Sequence, residues 1–285
     1  MTEFDLHLNR SSDPGEGWVT RRLSVEDPVG DALVSAPCAV ADVMLYHETG
    51  KTITVGGERG TVAWVDLWRG VILCDVLDDH PVLRDVPLPV PARGNWDRLL
   101  RECNPNYLRD VTVSRDKGSI KYDEMEIRPP REVKTTPDSY LEWVRGGSRG
   151  ATRVIRGGWK ATTWSMAIPV GSWEDWRRDC EVDVNDLTVD DASKQWISDE
   201  ALSNLQGSDT KEILGRLSVA YPTMSMDDDS VYLFSNGDKL ELVVAVDVRK
   251  KTLRGVAELD RQKSFVFMPS YCSSEISSYL KKTSE

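Results

Sequence analysis

The chain has 285 residues, 40% of them hydrophobic, enough to bury a sizeable core in one or two domains. A formal net charge of −11 argues against sequence-independent nucleic-acid binding and against anionic membranes as partners, because both require a basic surface. Cys38, Cys74, Cys103, Cys180 and Cys272 show no CxxC spacing, so neither a zinc module nor a disulfide framework is indicated, and reduced thiols in the cytoplasm or nucleus are expected.

Taken in chain order, the sequence alternates polar and apolar residues with period two, the pattern of strands with one face more buried than the other. "EFDLHLNR" and "WVTRRLSV" read as an antiparallel pair joined by the turn-rich "SSDPGEG". The first of these has no basic region followed by a long apolar one, so it is not a secretory signal. "KTITVGG", "TVAWVDLW", "VILCDVL" and "VLRDVPLP" follow as four strands with turns at Gly56-Gly57, Arg69-Gly70 and "DDHP". A short helix is expected at "NWDRLLREC". The next unit begins at "RDVTVSRDKGSIKYDEMEI" and resumes with "WKATTWSMAIP" and "CEVDVNDLTV". Near the C-terminus, "PTMSMDDDSVYLFSNGDKLELVVAVDVRKKTLRGVAELD" again shows four strands separated by turns. No apolar run reaches the ~18 residues that would suggest a membrane span.

The order repeats. Leu73-Cys74-Asp75-Val76 matches Ala245-Val246-Asp247-Val248, and Leu83-Arg84-x-Val86 matches Leu253-Arg254-x-Val256. Four antiparallel strands per unit with long connections predict a mainly β, β-propeller-like domain over residues 1–285, with about three full four-stranded blades plus one shared or incomplete blade. Two insertions interrupt it: 128–158, rich in Pro, Gly and Arg and read as a surface loop, and 185–218, read as short helices. The C-terminal "SFVFMPSYCS" is the candidate strand for closing the ring.

"VAWVDLWRGVILCDVL", "LRDVPLP", "RDVTV", "IKYDEMEI", "WKATTWSM" and "VVAVDVRKKTLRGVAEL" together resemble the plant, grass-expanded family called "domain of unknown function 1618", over about Phe4 to Leu280. No catalytic residues are established for that family, so the resemblance implies none here. Its members usually carry another blade and a half before the segment matching "FDLHLNR". The resemblance therefore implies an N-terminally short member, either closing a smaller ring or leaving an open sheet edge for homo- or hetero-oligomers.

Chemically suggestive residues weigh toward structure. Asp78-Asp79-His80 reads as a hairpin turn, and its counterpart in the later repeat is Arg249-Lys250-Lys251, so no shared metal role follows. Asp227-Asp228-Asp229 lacks the spacing of a calcium loop. Asp66 and Asp75 lie on neighbouring strands, but a repeated strand-end Asp commonly satisfies turn amides. His7, His47 and His80 have no nucleophile motif around them. The glycine pairs lack a phosphate-cradle context. No catalytic, cofactor or metal residues are assigned, and no cofactor is expected.

Ten tryptophans are many for this length. Most should pack between blades, whereas Trp143, Trp176 and Trp196, in or beside the insertions, are the candidates for anchoring a partner. The favoured expectation is a non-enzymatic module contacting another protein through the rim insertions. One alternative is a small-molecule or carbohydrate-binding protein or hydrolase with a central pocket lined by Trp64, Asp66, Tyr122 and Glu124. Another is a truncated regulator that pairs with full-length homologues in stress or reproductive incompatibility.

Overall fold

The computed structural model describes residues 3–9, 17–26, 47–96, 105–129, 131–134, 141, 144, 152–155, 157–189, 217, 219–236 and 241–258. Strands β1 (Glu3–Leu8) and β2 (Val19–Glu26) form the expected antiparallel pair. β3 (Lys51–Gly56), β4 (Thr61–Asp66), β5 (Gly70–Asp75) and β6 (Leu83–Pro87) form a first antiparallel meander, each strand pairing with the next. A second meander opens with β7 (Arg109–Val113) and β8 (Ser119–Ile127). It is interrupted by the hairpin of β9 (Arg131–Lys134) and β10 (Thr152–Ile155), and continues with β11 (Trp159–Ala167) and β12 (Arg177–Asp183). After the two-residue β13 (Thr188–Val189), a third meander runs through β14 (Val219–Met224), β15 (Ser230–Asn236), β16 (Glu241–Asp247) and β17 (Thr252–Glu258). β13 lies parallel to the outer strand β17.

The meanders stack face on face. Ile53, Val65, Val71, Leu73 and Val86 of the first pack against Val111, Ile120, Tyr122 and Met166 of the second. The opposite face of the second, with Met125, Trp159, Ala161 and Val182, packs on Val231, Leu233, Val244 and Val246 of the third. The β1–β2 pair covers the remaining face of the first meander, where Phe4, Leu6, Leu23 and Val25 meet Ile72, Cys74 and Leu83. This layering explains the sequence pattern of each strand. β1 has a single buried face and alternates strictly along EFDLHL. β5 is sandwiched, so GVILCD reads as a near-continuous apolar run. Val71 and Leu73 serve one core and Ile72 and Cys74 another. At its start only glycine fits, because a Cβ on Gly70 would stand 2.5 Å from the Val86 carbonyl oxygen.

Several expectations change. The 128–158 insertion, read as a loop, contains the β9–β10 hairpin, in which the β-branched Val133, Thr152, Val154 and Ile155 supply the strand propensity that its Pro, Gly and Arg content concealed. Within 185–218, the described part is a 3-10 turn at Val184–Asp186 followed by β13, and the expected helices fall outside the described residues. At "NWDRLLREC" a 3-10 turn, Arg93–Asn95, leads into Trp96, and the remainder is likewise outside. So are Trp143, Trp196 and the C-terminal candidate strand.

Candidate functional site

The first strands of the three meanders meet at one carboxylate. Asp110 on β7 accepts a hydrogen bond from Lys51 Nζ of β3 at 2.8 Å and another from the Met224 main-chain N–H of β14 at 3.0 Å. Lys51 Nζ donates also to the Val111 carbonyl at 2.8 Å. A single buried ion pair therefore ties all three sheets together. Directly across the β7–β8 ladder from Asp110 stands Asp123, fully buried, with neither carboxylate oxygen hydrogen-bonded. Burial first, and then the charges of Asp110 and Glu124, push its carboxyl well above the ordinary range, so the group is held protonated.

On the opposite face of β8, Glu124 is enclosed by donors. It accepts from the Ala92 N–H at 3.1 Å, from Asn95 Nδ2 at 2.9 Å and from the Tyr122 hydroxyl at 3.3 Å. Arg109 stands 3.7 Å away and donates to the Leu67 carbonyl at 2.9 Å. Glu124 thus locks the 92–95 turn onto the second meander. Sequence reasoning names Tyr122 and Glu124 together but passes over Lys51, Asp110 and Asp123, for which the signal lay in the charged residues on both faces of "RDVTV" and "IKYDEMEI".

Of the four residues proposed to share a central pocket, Tyr122 and Glu124 are joined by a hydrogen bond and Trp64 is apart from them. Tyr122 and Glu124 face the interface of the first two meanders, and Tyr122 is packed 5.0 Å from the Trp164 ring. Trp64 lies on the far side of the first meander, among residues beneath β1 and β2. Asp66 accepts from the Glu48 and Trp68 main-chain N–H groups at 2.9 and 2.8 Å, the turn-capping role expected of it. Asp75 accepts from the Thr61 hydroxyl at 2.5 Å. Asp66 and Asp75 pair with Gly70 and Thr61 respectively, at opposite ends of the β4–β5 ladder, roughly 17 Å apart along the strands. That is too far for a glycosidase pair.

The acidic turns are similarly committed. Asp78 caps its own turn by accepting from the His80 N–H at 3.1 Å. Arg21 of β2 donates to the Asp79 carbonyl at 2.8 Å. Asp227, Asp228 and Asp229 pair with Arg115, Arg254 and Arg249 respectively. Asp247 accepts from the Lys250 N–H at 2.9 Å. Among the described residues no group of three or more His, Cys, Asp or Glu side chains is placed to hold a metal ion.

Trp176, expected at the surface, is instead half-buried. Its indole N–H donates to the Pro87 carbonyl at 2.9 Å and its ring meets Tyr122 edge-on at 6.0 Å. It wedges the second meander against the first, because the β11–β12 connection folds back toward that interface rather than outward. Trp68 is half-buried against the core.

Two features stand out among the described residues. The first is the described part of the 128–158 insertion, mounted on a tight neck. Beyond the last β8–β11 pair, the Arg128 N–H donates to the Gly158 carbonyl at 3.0 Å, and Arg128 Nη2 pairs with Asp183 at 2.5 Å. A Cβ on Gly157 would sit 2.4 Å from the Pro129 carbonyl oxygen. From this neck the β9–β10 hairpin emerges, pairing with no other strand among the described residues. Leu141 and Val144 are 64% and 55% exposed. The second is a cavity of about 220 Å3 between the β1–β2 pair and the first meander, with Phe4, Leu6, Leu23, His47 and Trp64 among its lining.

Compared with known protein families, residues 64–232 match the family described as "Protein of unknown function (DUF1618)". No curated protein and no solved structure matches the chain significantly.

Proposed function

This chain belongs to the DUF1618 family, and from that premise we propose that it acts as a non-enzymatic interaction module. Its three stacked meanders are read as blades of a propeller-like scaffold, and the 128–158 insertion as the element that contacts another protein. The observation that carries this reading is the contrast between neck and tip. The insertion leaves the scaffold through hydrogen bonds and glycine contacts that permit little play, then presents exposed Leu141 and Val144. Its charge also opposes that of the rest of the molecule: residues 128–158 hold seven basic and three acidic side chains, in a chain of net charge −11. An acidic protein surface with apolar pockets for Leu141 and Val144 fits this chemistry. An isolated two-stranded hairpin is marginal in water, so contact with a partner would also stabilise β9–β10. The carboxylates considered for a hydrolase, Asp66, Asp75 and Glu124, are occupied by main-chain amides and neighbouring side chains, which favours a scaffold.

The test replaces residues 131–155 by a short Gly-Ser link, leaving the Arg128–Gly158 neck intact, and compares capture from cell extract by the two chains. The expected result is a partner held by the parent, released by raised salt and lost from the variant, with the melting temperature nearly unchanged. The same partners recovered in the same yield by both chains would overturn the assignment.

A further inference from the structure

The edge strands of the three stacked sheets are blunted or covered with one exception. β3 and β14 carry register shifts against their neighbours, between Thr54 and Gly56 and between Ala220 and Thr223, and β14 also contains Pro222. At the β12 edge, the ladder with β11 shifts between Thr163 and Trp164, and the strand bears Arg177, Arg178 and Asp179. β7 is buried along its whole length, and β13 is very short. Such devices keep sheets from joining edge to edge. β1 has none of them. It runs beside β2 without a shift, holds no lysine or proline, and turns only Phe4, Leu6 and Leu8 inward. Among the described residues no strand pairs with its other edge.

The sequence of β1 selects what can join that edge. Residues opposite one another in an antiparallel pair share a face, so a second β1 related by a two-fold axis must bring residues of like parity together. An axis at Asp5 sets the two Asp5 carboxylates against each other, which is destabilising. An axis at His7 leaves Phe4 beyond the end of the other strand. An axis at Leu6 satisfies both faces: Asp5 of each copy stands opposite His7 of the other on the outer face, and on the inner face Phe4 stands opposite Leu8 and Leu6 opposite Leu6. The Thr20 hydroxyl engages His7 Nδ1 at 2.9 Å, which leaves Nε2 for the carboxylate. Arg22 already holds Asp5 from the β2 side at 3.3 Å. Leu8 pairs with Val19 in the β1–β2 ladder, and Val19 and the adjoining Trp18 are 44% and 72% exposed. Phe4 of a second copy extends the row formed by Val19 and Leu8, so the exposed apolar end of the ribbon lies beside the added strand.

We propose that a second copy of this chain docks on the β1 edge, the two β1 strands pairing antiparallel about Leu6 into one continuous sheet. Strands this short bury little area, so association is micromolar. The net charge of −11 on each copy opposes it, and physiological salt screens that repulsion beyond ~8 Å. The proposal does not depend on the 128–158 insertion, so failure of either assignment leaves the other standing.

Sedimentation equilibrium of the full chain across micromolar concentrations tests it, with hydrogen exchange of the β1 amides read at both ends of the range. The expected result is a reversible monomer–dimer equilibrium, with exchange in β1 slowed at the concentrated end. Asp5→Asn, which weakens the cross-strand pair, should loosen the dimer about threefold, and His7→Glu, which sets carboxylates face to face, about tenfold. Both substitutions lie on the exposed face of β1, so the monomer should melt as the parent does. The chain carrying a Gly-Ser link in place of residues 131–155 should dimerise as the parent does. A chain that stays monomeric at the concentrated end, whether its β1 amides exchange freely or are protected by another segment of the same chain, would overturn the proposal. So would a dimer with unchanged β1 exchange, a dimer lost with residues 131–155, or a dimer tightened by Asp5→Asn.

Discussion

Asp110 and Asp123 face each other across the β7–β8 ladder, both buried, yet only Asp110 has partners, Lys51 and the Met224 amide. One carboxylate is ionised and stitched into three sheets, and its neighbour is kept protonated by burial and by that ionised group. The sign of the pH dependence follows. The folded pKa of Asp123 lies above the unfolded value of ~3.9, so between the two the folded state holds a proton that the unfolded state has released. Stability from this group falls as pH rises through that window. Asp123→Asn keeps the shape and removes the titration. It should raise stability near pH 7 by about 1–2 kcal/mol and flatten the stability profile above pH 4. Urea unfolding of both proteins from pH 4 to pH 8 measures it; parallel profiles would refute the assignment.

The partner pair behaves oppositely. Lys51→Met leaves Asp110 ionised, buried and facing Asp123 with only the Met224 amide and so should cost about 3 kcal/mol, the usual penalty for stranding one member of a buried pair. Because Lys51, Asp110 and Met224 lie on the first strands of three different meanders, the loss should appear as weakened docking between sheets. Hydrogen exchange should quicken in β3 and β14 together, and acceleration confined to β3 would contradict the three-sheet role.

These contrasts show what the sequence made legible. Strand order within each meander could be read because Asp75 and Asp247 recur at the ends of third strands and the turns between strands are rich in Gly, Asp and Asn. β5 and β8 defeated simple alternation because both faces of each are buried. Asp110 meets Lys51 from 59 positions away and the Met224 amide from 114 positions away, and no local pattern marks such a meeting. Trp64 stood out by its type, but its true neighbour is His47, set there by the chain entering β3, not Tyr122 or Glu124. Trp176 is half-buried beside an insertion because the direction in which a connection folds back is decided by the core it meets, which no local pattern reveals.

Trp176→Ala separates those two roles. If the indole works as a wedge donating to Pro87 and packing on Tyr122, its removal should lower stability by about 2–3 kcal/mol, less than for a wholly buried tryptophan. Capture of a partner through the 128–158 insertion should persist at temperatures where the variant is folded. Thermal unfolding and capture measured on the same preparation distinguish the outcomes, and lost capture at undiminished stability would return Trp176 to the surface.

His47 gives the chain a second and opposite pH dependence. Burial lowers its pKa below the ordinary value, with the charge of Asp66 and then Asp85 acting against that shift and Arg69 acting with it. The unfolded imidazole, with a pKa of ~6.5, takes up a proton before the folded one does. Stability from the neutral ring is therefore fully present above pH 6.5 and is lost as pH falls through the folded pKa. His47→Gln, neutral throughout, should remove the decline that sets in as pH falls below ~6.5 while leaving the contribution of Asp123 unchanged. Urea unfolding of the parent chain and of His47→Gln at pH 7.5 and pH 5 reads this directly, and an equal loss of stability in both proteins would refute the role of His47.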